Sequence, residues 1–450
     1  MRGAGGTVRY VARSPAFSMP APHLVIVGNG IAGVTAARHA RKLDAAARIT
    51  LISDETPTPF SRTALMYVYM GTLTQAHTAL YEERFWAENR IERVHDRALR
   101  LDPGARTLTL RDGGALAYDR LLVATGSRPA FHGWPGQELG GVQGLYHLAD
   151  LEAMTAAMPG GTAAEGRRGV VVGGGLIGVE MAEMLRVRGY DVTFLVREPR
   201  YMPRIFSEAE SALVAAEIRR HGVDLRLGAE LGEILDDGAG RVGAVTTAEG
   251  ERIEAAWVGI GTGVRPNVEW LQRSGVEVGR GVLVDAELRT SASGVFAAGD
   301  CAELRTPPPG EPAVRPIWYT ARLQGATAGL GLAGQPRAYA PGVFFNSAKF
   351  FDLEYQVYGR AEGALPAGEA DHEIVETSPA LAGGGRSVRL QHRLRPDGSA
   401  GAVVGISALG VRLRQTVCTD WIARGAPLAE VLADLRAADF DPELTRPLVA

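Results

Sequence analysis

His23-Leu24-Val25-Ile26-Val27-Gly28-Asn29-Gly30-Ile31-Ala32-Gly33 and, much later, Gly169-Val170-Val171-Val172-Gly173-Gly174-Gly175-Leu176-Ile177-Gly178 are two copies of one pattern. Each is a short apolar β-type run, a GxGxxG turn and then a helical pattern, which reaches residue 43 in the first copy and about residue 188 in the second. A second β-type run follows each helix, at 49–52 and 192–196. One such match is weak evidence; two, each with a strand before and a helix after, predict two Rossmann-like β-turn-α-β units that bind dinucleotides. The physical reason lies in the turn. Backbone N–H groups must approach a pyrophosphate, and a Cβ on the second glycine would block it. A Cβ on the first would strain the turn, and the third lets helix and strand pack closely. The helix N-terminus adds unpaired N–H donors and about half a positive charge.

The rest of the composition fits such a protein. At 450 residues the chain is too long for one core and predicts about three domains. It is 46% hydrophobic and 22% charged, as in ordinary globular proteins, which excludes disorder, collagen and coiled coil for the whole chain. A net charge of −3 gives no basic field for nucleic acid or an anionic membrane, and no apolar run of about 18 residues predicts a membrane span. Lysine occurs only at Lys42 and Lys349, which leaves few candidates for Schiff-base chemistry. Residues 1–21, with Arg2, Arg9 and Arg13 and no acid up to residue 18, read as an N-terminal extension, with Met19 as the favoured natural start and a transit peptide as the alternative. A cytoplasmic protein is expected.

Residues 106–110 and 116–122 flank Asp112-Gly113-Gly114, a hairpin signal. Small residues over 159–169 predict a linker, and short strands with glycine turns over 223–260 predict a β-meander. After Gly334 the pattern changes to short aromatic strands and a closing amphipathic segment at 426–437. The expected class is α/β. One discontinuous dinucleotide-binding domain spans 22–134 and 262–335, a second spans 135–261, and a C-terminal α+β domain spans 336–450.

The residue ending the second strand of each unit selects the nucleotide, because a carboxylate there accepts hydrogen bonds from ribose hydroxyls. The first unit offers Asp54 or Glu55 and suits an unphosphorylated adenosine ribose. The second has Val196 and then Arg197 and Glu198. Arg197, with Arg200 or Arg204, could meet a 2′-phosphate, while Glu198 could serve NADH; the arginines tip the expectation toward NADPH.

Across about residues 22–335 these motifs resemble the two-dinucleotide-binding-domain flavoproteins of the pyridine nucleotide–disulfide oxidoreductase superfamily. The resemblance makes Gly28, Gly30, Ile31, Ala32 and Gly33 part of an FAD site. It adds Ala124, Thr125, Gly126 and Arg128 from the stretch LVATGSRP (122–129), and Gly299 and Asp300 from GVFAAGD (294–300), the aspartate meeting the ribityl or pyrophosphate portion. Gly173, Gly175, Leu176, Ile177, Gly178 and the following Glu180 resemble the NAD(P)H site, and Gly261 and Gly263 in GTGVRP (261–266) the crossover back. Pro59-Phe60-Ser61-Arg62 is similar to a segment of oxygenase-coupled ferredoxin reductases, nitrite reductase flavin domains and apoptosis-inducing factor, which implies that Arg62 meets the FAD phosphates. Those relatives often continue with Pro-Pro and a lysine; here Thr63-Ala64-Leu65-Met66-Tyr67 puts a tyrosine at the lysine position. Ala98 aligns with a residue whose backbone meets the adenine.

Cysteine is where the chain departs from the disulfide reductases. No CxxxxC follows the first helix, and no cysteine precedes Cys301. Cys301 and Cys418 read as buried and inert, and neither can run a dithiol cycle alone. The resemblance therefore implies direct transfer from NAD(P)H through FAD to an external acceptor: a ferredoxin or rubredoxin-type carrier, a quinone or a small molecule. The alternatives are an NAD(P)H oxidase reducing oxygen, a redox-gated interaction protein like apoptosis-inducing factor, and an assembly module without chemistry. Trp318, Tyr319 and Lys349 are candidate flavin neighbours, against plain core packing. Lys349 lies in the aromatic-rich stretch 344–351. The C-terminal part resembles the family's interface domain in outline, which hints at a homodimer.

Overall fold

The computed structural model describes residues 21–308, 311–378, 381 and 384–440. The N-terminal extension and Met19 lie outside the described residues.

Each glycine motif follows the central strand of a five-stranded parallel sheet. The first sheet runs Val295–Ala297, Arg120–Val123, His23–Val27, Arg48–Ser53, Ile91–His95. The second runs Val223–Leu227, Asp191–Val196, Arg168–Val172, Trp257–Ile260, Val142–Gln143. The strand leading into each turn therefore sits where the strand order reverses, and its carboxyl end opens into the crevice that such sheets use for ligands. Leu24, Val25 and Ile26 in one sheet and Val170 and Val171 in the other are fully buried. This is the unbroken apolar run that a strand covered on both faces requires. Helix Ile31–Leu43 packs closely on helix Trp318–Leu332, where a Cβ on Gly325 would stand 2.3 Å from the Ala32 carbonyl oxygen.

Three expectations need correction. The stretch 223–260 is not all meander. Only Leu231–Asp236, Val242–Thr247 and Arg252–Glu254 form an antiparallel sheet, while Val223–Leu227 and Trp257–Ile260 belong to the second parallel sheet. A short apolar run has the same sequence signature in either setting. Likewise Thr107–Leu110 pairs with Ala115–Ala117 as a hairpin, but Arg120–Val123 leaves it for the first parallel sheet, where Leu121, Leu122 and Val123 are completely buried. The segment at 426–437 is also split, into helix Leu428–Ala433 and a 3₁₀ turn Leu435–Ala438.

Two antiparallel strands, Ser127–Pro129 and Val264–Pro266, carry the chain between the two parallel sheets. The last part is a five-stranded antiparallel sheet ordered Phe345–Phe350, Leu353–Gly359, Ala400–Leu409, Gly385–Leu394, Glu369–Thr377. It docks on helix Glu208–Arg220 of the second unit. Glu210 of that helix and Arg389 of the sheet are both fully buried and lie 2.9 Å apart, and Ser407 donates to Glu210 at 2.5 Å. Removing either partner of such a pair would leave the other an uncompensated buried charge. Among the described residues no helix is long and apolar enough to cross a membrane.

Candidate active site

The first turn is shaped by its backbone. Gly28 has φ +111°, and a Cβ there would lie 2.0 Å from the Ala124 carbonyl oxygen. Gly30 caps helix Ile31–Leu43, and a Cβ there would meet nothing within 4 Å, because it would point into open space. That space is a cavity of about 560 Å³, of the size that takes a cofactor. Ile31, Ala32, Ala98 and Asp54 line it, as do Ala124, Thr125 and Gly126 from the loop after Arg120–Val123, Arg128 from strand Ser127–Pro129, and Gly299 and Asp300 from the far side. Gly33 does not line it. A Cβ there would stand 2.0 Å from the Gly28 carbonyl oxygen, so within the FAD motif its part is the helix–turn packing expected of the third glycine.

The two candidate carboxylates separate. Asp54 stands at the mouth, 2.8 Å from the Arg97 guanidinium. Glu55 is turned inward onto Arg62, whose Nη1 donates to it at 3.0 Å, and it also accepts from the Leu148 N–H at 2.7 Å. Arg62 donates in addition to the Tyr146 carbonyl at 2.9 Å and lies 4.9 Å over the Tyr146 ring. The Tyr146 hydroxyl accepts from the Ser127 N–H at 2.9 Å and donates to Asp300 at 3.0 Å. Burial raises the Asp300 carboxyl above its ordinary range, against the pull of Tyr146 and Arg62. Tyr146 completes the site, and no sequence signal marks it: it sits in a loop before helix Leu148–Ala157, in no recognisable motif.

The second turn repeats the geometry beside a larger cavity. Gly173 has φ +106°, and Gly175 caps helix Leu176–Val187, where the nearest atom to an added Cβ would be the Gly261 carbonyl oxygen at 3.7 Å. The cavity here measures about 1880 Å³. Gly173, Gly175, Leu176, Ile177, Gly261 and Gly263 form its floor. Gly178 again packs, 2.0 Å from the Gly173 carbonyl oxygen at its Cβ position, as the third glycine of the motif. Arg197 and Glu198 stand at the far end, paired with each other at 3.2 Å. Arg204 lines the cavity, but Arg200 does not: it turns away to the Phe206 carbonyl at 2.9 Å, a correction to its reading as a 2′-phosphate contact. Glu180 lines the middle of the cavity, and burial together with the Glu183 charge pushes its carboxyl up to about 7.

Arg62, Thr63, Tyr146, Glu269, Pro316 and Trp318 line both cavities, so the two cradles meet at one junction. Trp318 begins helix Trp318–Leu332 there; Tyr319 beside it and Lys349 line the larger side. Neither thiol reaches this space. Cys301 is fully buried with its sulfur 3.4 Å from the Val123 and Ala298 carbonyl oxygens, and burial pushes it up to about 11. Cys418 is equally buried and pushed up to about 12. Neither forms a thiolate near neutral pH, as a relay would need.

The open Cβ directions at Gly30 and Gly175, the helix N-termini behind them and the carboxylate at each far end fit two dinucleotides meeting at the junction. Comparison with known proteins agrees. The pyridine nucleotide-disulphide oxidoreductase family matches residues 22–325. The chain is 32% identical over 341 residues to the biphenyl dioxygenase system ferredoxin–NAD(+) reductase component of Paraburkholderia xenovorans (strain LB400), covering 76% of this chain and 81% of the relative. It is 33% identical over 284 residues to the rubredoxin–NAD(+) reductase of Pseudomonas putida, covering 63% and 72%. Among solved structures, the ferredoxin reductase for the CYP199A2 system from Rhodopseudomonas palustris superimposes with a TM-score of 0.75 at 27% identity, covering 86% of this chain and 91% of that one. With one family spanning both cradles and the strands between them, this chain belongs to the pyridine nucleotide-disulphide oxidoreductase family.

Proposed function

We propose that this protein is an FAD-dependent oxidoreductase that accepts a hydride from NADH and passes the electrons to a ferredoxin or rubredoxin-type carrier, with no thiol step. The observation that carries the reading is the shared junction: six residues line both cradles, while both sulfurs are sealed elsewhere. When bound, FAD supplies hydride acceptance and stepwise electron release. The chain supplies position and charge. The N–H groups at Gly30 and Ile31 bind the diphosphate, and Asp54 accepts from ribose hydroxyls. Glu55 holds the Arg62 guanidinium toward the cavity, and Tyr146 fixes Asp300. On the donor side, Gly175 and Leu176 bind the NADH diphosphate. Glu198 accepts from its adenosine ribose, and the relatives named as NAD(+) reductases support NADH over the NADPH that the arginines suggested. Trp318 and Tyr319 wall the junction from water. In this reading residues 22–134 with 262–335 hold FAD, 135–261 hold NADH, 336–450 close the site, and the protein works in the cytoplasm. The relatives named as ferredoxin and rubredoxin reductases support the choice of carrier.

The test is anaerobic rapid mixing of the yellow protein with NADH or NADPH, then mixing of the reduced protein with oxidised [2Fe–2S] ferredoxin, rubredoxin or dioxygen. The reading expects NADH to reduce the flavin faster than NADPH, and an iron–sulfur or rubredoxin carrier to reoxidise it faster than oxygen. Fast reoxidation by oxygen alone would make it an oxidase. Slow reduction with a long-lived charge-transfer band and a change of oligomer would favour the redox-gated interaction protein.

A further inference from the structure

The antiparallel sheet at the end of the chain brings two opposed charges, Lys349 and Glu354, to the wall of the larger cavity. Lys349 sits on strand Phe345–Phe350, opposite Glu354 in the register, but Glu354 is held by Arg412 from the neighbouring turn at 2.5 Å. The lysine reaches instead across to the helix behind the second cradle. Its Nζ donates to Glu183 at 2.5 Å and lies 5.5 Å over the ring of Tyr67. Glu183 has a side chain only 8% exposed. Glu180 stands one turn earlier on the same helix, on the face that lines the cavity, and among the described residues it accepts no hydrogen bond. Residues three apart on a helix are neighbours, so the Lys349 ammonium that meets Glu183 also stands on the Glu180 side of the helix.

A carboxylate in a largely apolar cavity normally takes up a proton unless a cation holds it ionised. The groups facing Glu180 are Glu183 on its own helix, Lys349 on the sheet and Tyr201 on the loop after Asp191–Val196; Tyr67, on helix Leu65–Met70, meets Lys349. Of these, only Lys349 favours the charged form; burial and Glu183 oppose it.

We propose that Lys349 is a positioning residue of the reaction cavity: delivered by the C-terminal sheet, it anchors Glu183 and keeps Glu180 able to carry negative charge where NADH is expected to lie. This rests on the functional reading above for the identity of the cavity's occupant, but the contact and its effect on Glu180 do not. The sheet thereby contributes to the site's electrostatics as well as closing it.

The experiment is ¹³C-carboxyl NMR titration of the flavin-loaded protein without NADH, with the Glu180 resonance assigned through Glu180→Gln. In Lys349→Met the Glu180 midpoint should rise by about one pH unit, the order expected for losing a neighbouring opposite charge. Lys349→Arg should return most of that shift, and Glu183→Gln should lower the midpoint by removing the like charge. An unchanged midpoint in Lys349→Met, an equal shift in Lys349→Arg, or a rise in Glu183→Gln would overturn the proposal. If Lys349→Met does not fold, the other two variants decide it. Because no NADH is present, this result can fail while NADH still bleaches the flavin, and the reverse.

Discussion

The two glycine cradles share a sheet topology, a turn and a helix, and differ in what surrounds the mouth. The first opens into about 560 Å³ and is ringed by an interlocked polar set, Glu55–Arg62–Tyr146–Asp300. The second opens into about 1880 Å³ and ends in an exposed pair, Arg197 and Glu198. A small mouth with its inner charges satisfied suits a resident group, and a larger one suits a molecule that comes and goes. One backbone device thus serves a cofactor and a substrate, with the difference written in the side chains around it.

Several substitutions would break or sharpen that contrast. The largest effect belongs to Gly30→Val. Its side chain meets no protein atom in the cradle, so the protein should fold, but flavin affinity should fall roughly a hundredfold, about 2.7 kcal/mol, and the purified protein should be colourless. Visible absorbance against protein concentration reads this directly. The matching change in the second cradle, Gly175→Val, should leave the protein yellow and weaken NADH binding about tenfold, read as the concentration dependence of flavin reduction. If both variants lose colour, or both keep it, the division of roles is wrong.

Glu180 sharpens the second cradle. With its carboxyl near 7, the rate of flavin reduction by NADH should rise as pH passes upward through about 7, because the ionised form stabilises the positive charge that the nicotinamide gains. Glu180→Gln should flatten that rise and leave a rate about tenfold below the wild type's high-pH value, the equivalent of one pKa unit of interaction. A profile that keeps its shape in the variant would remove Glu180 from the account. The smallest effect is at the rim. Glu198→Gln frees Arg197 and should shift preference toward NADPH by a few-fold, in line with the ~0.5–1 kcal/mol of an exposed ion pair. Reduction rates with the two coenzymes measure it.

Much of this was legible in the sequence because the cradles are local. A glycine that must leave room, a strand before it and a carboxylate about twenty residues on all lie within one unit, and together they mark both sites. What the sequence hides is carried across long separations. Tyr146 meets Asp300 and Lys349 meets Glu183, each joining segments more than 150 residues apart. No periodicity marks such pairs. The choice between Asp54 and Glu55 also needs coordinates, since adjacent carboxylates at a strand end face opposite ways and only one meets Arg62. Edge strands such as Val223–Leu227 escape a sequence reading because pairing direction leaves no trace in a five-residue run.

The central claim is that the donor reduces the flavin directly across the junction, without sulfur. Its most direct test is anaerobic stopped-flow reduction by NADH of the wild type beside the double variant Cys301→Ala, Cys418→Ala. The two proteins should bleach at the same rate and to the same extent. Loss of reduction in the cysteine-free protein, with its flavin still bound, would contradict the account.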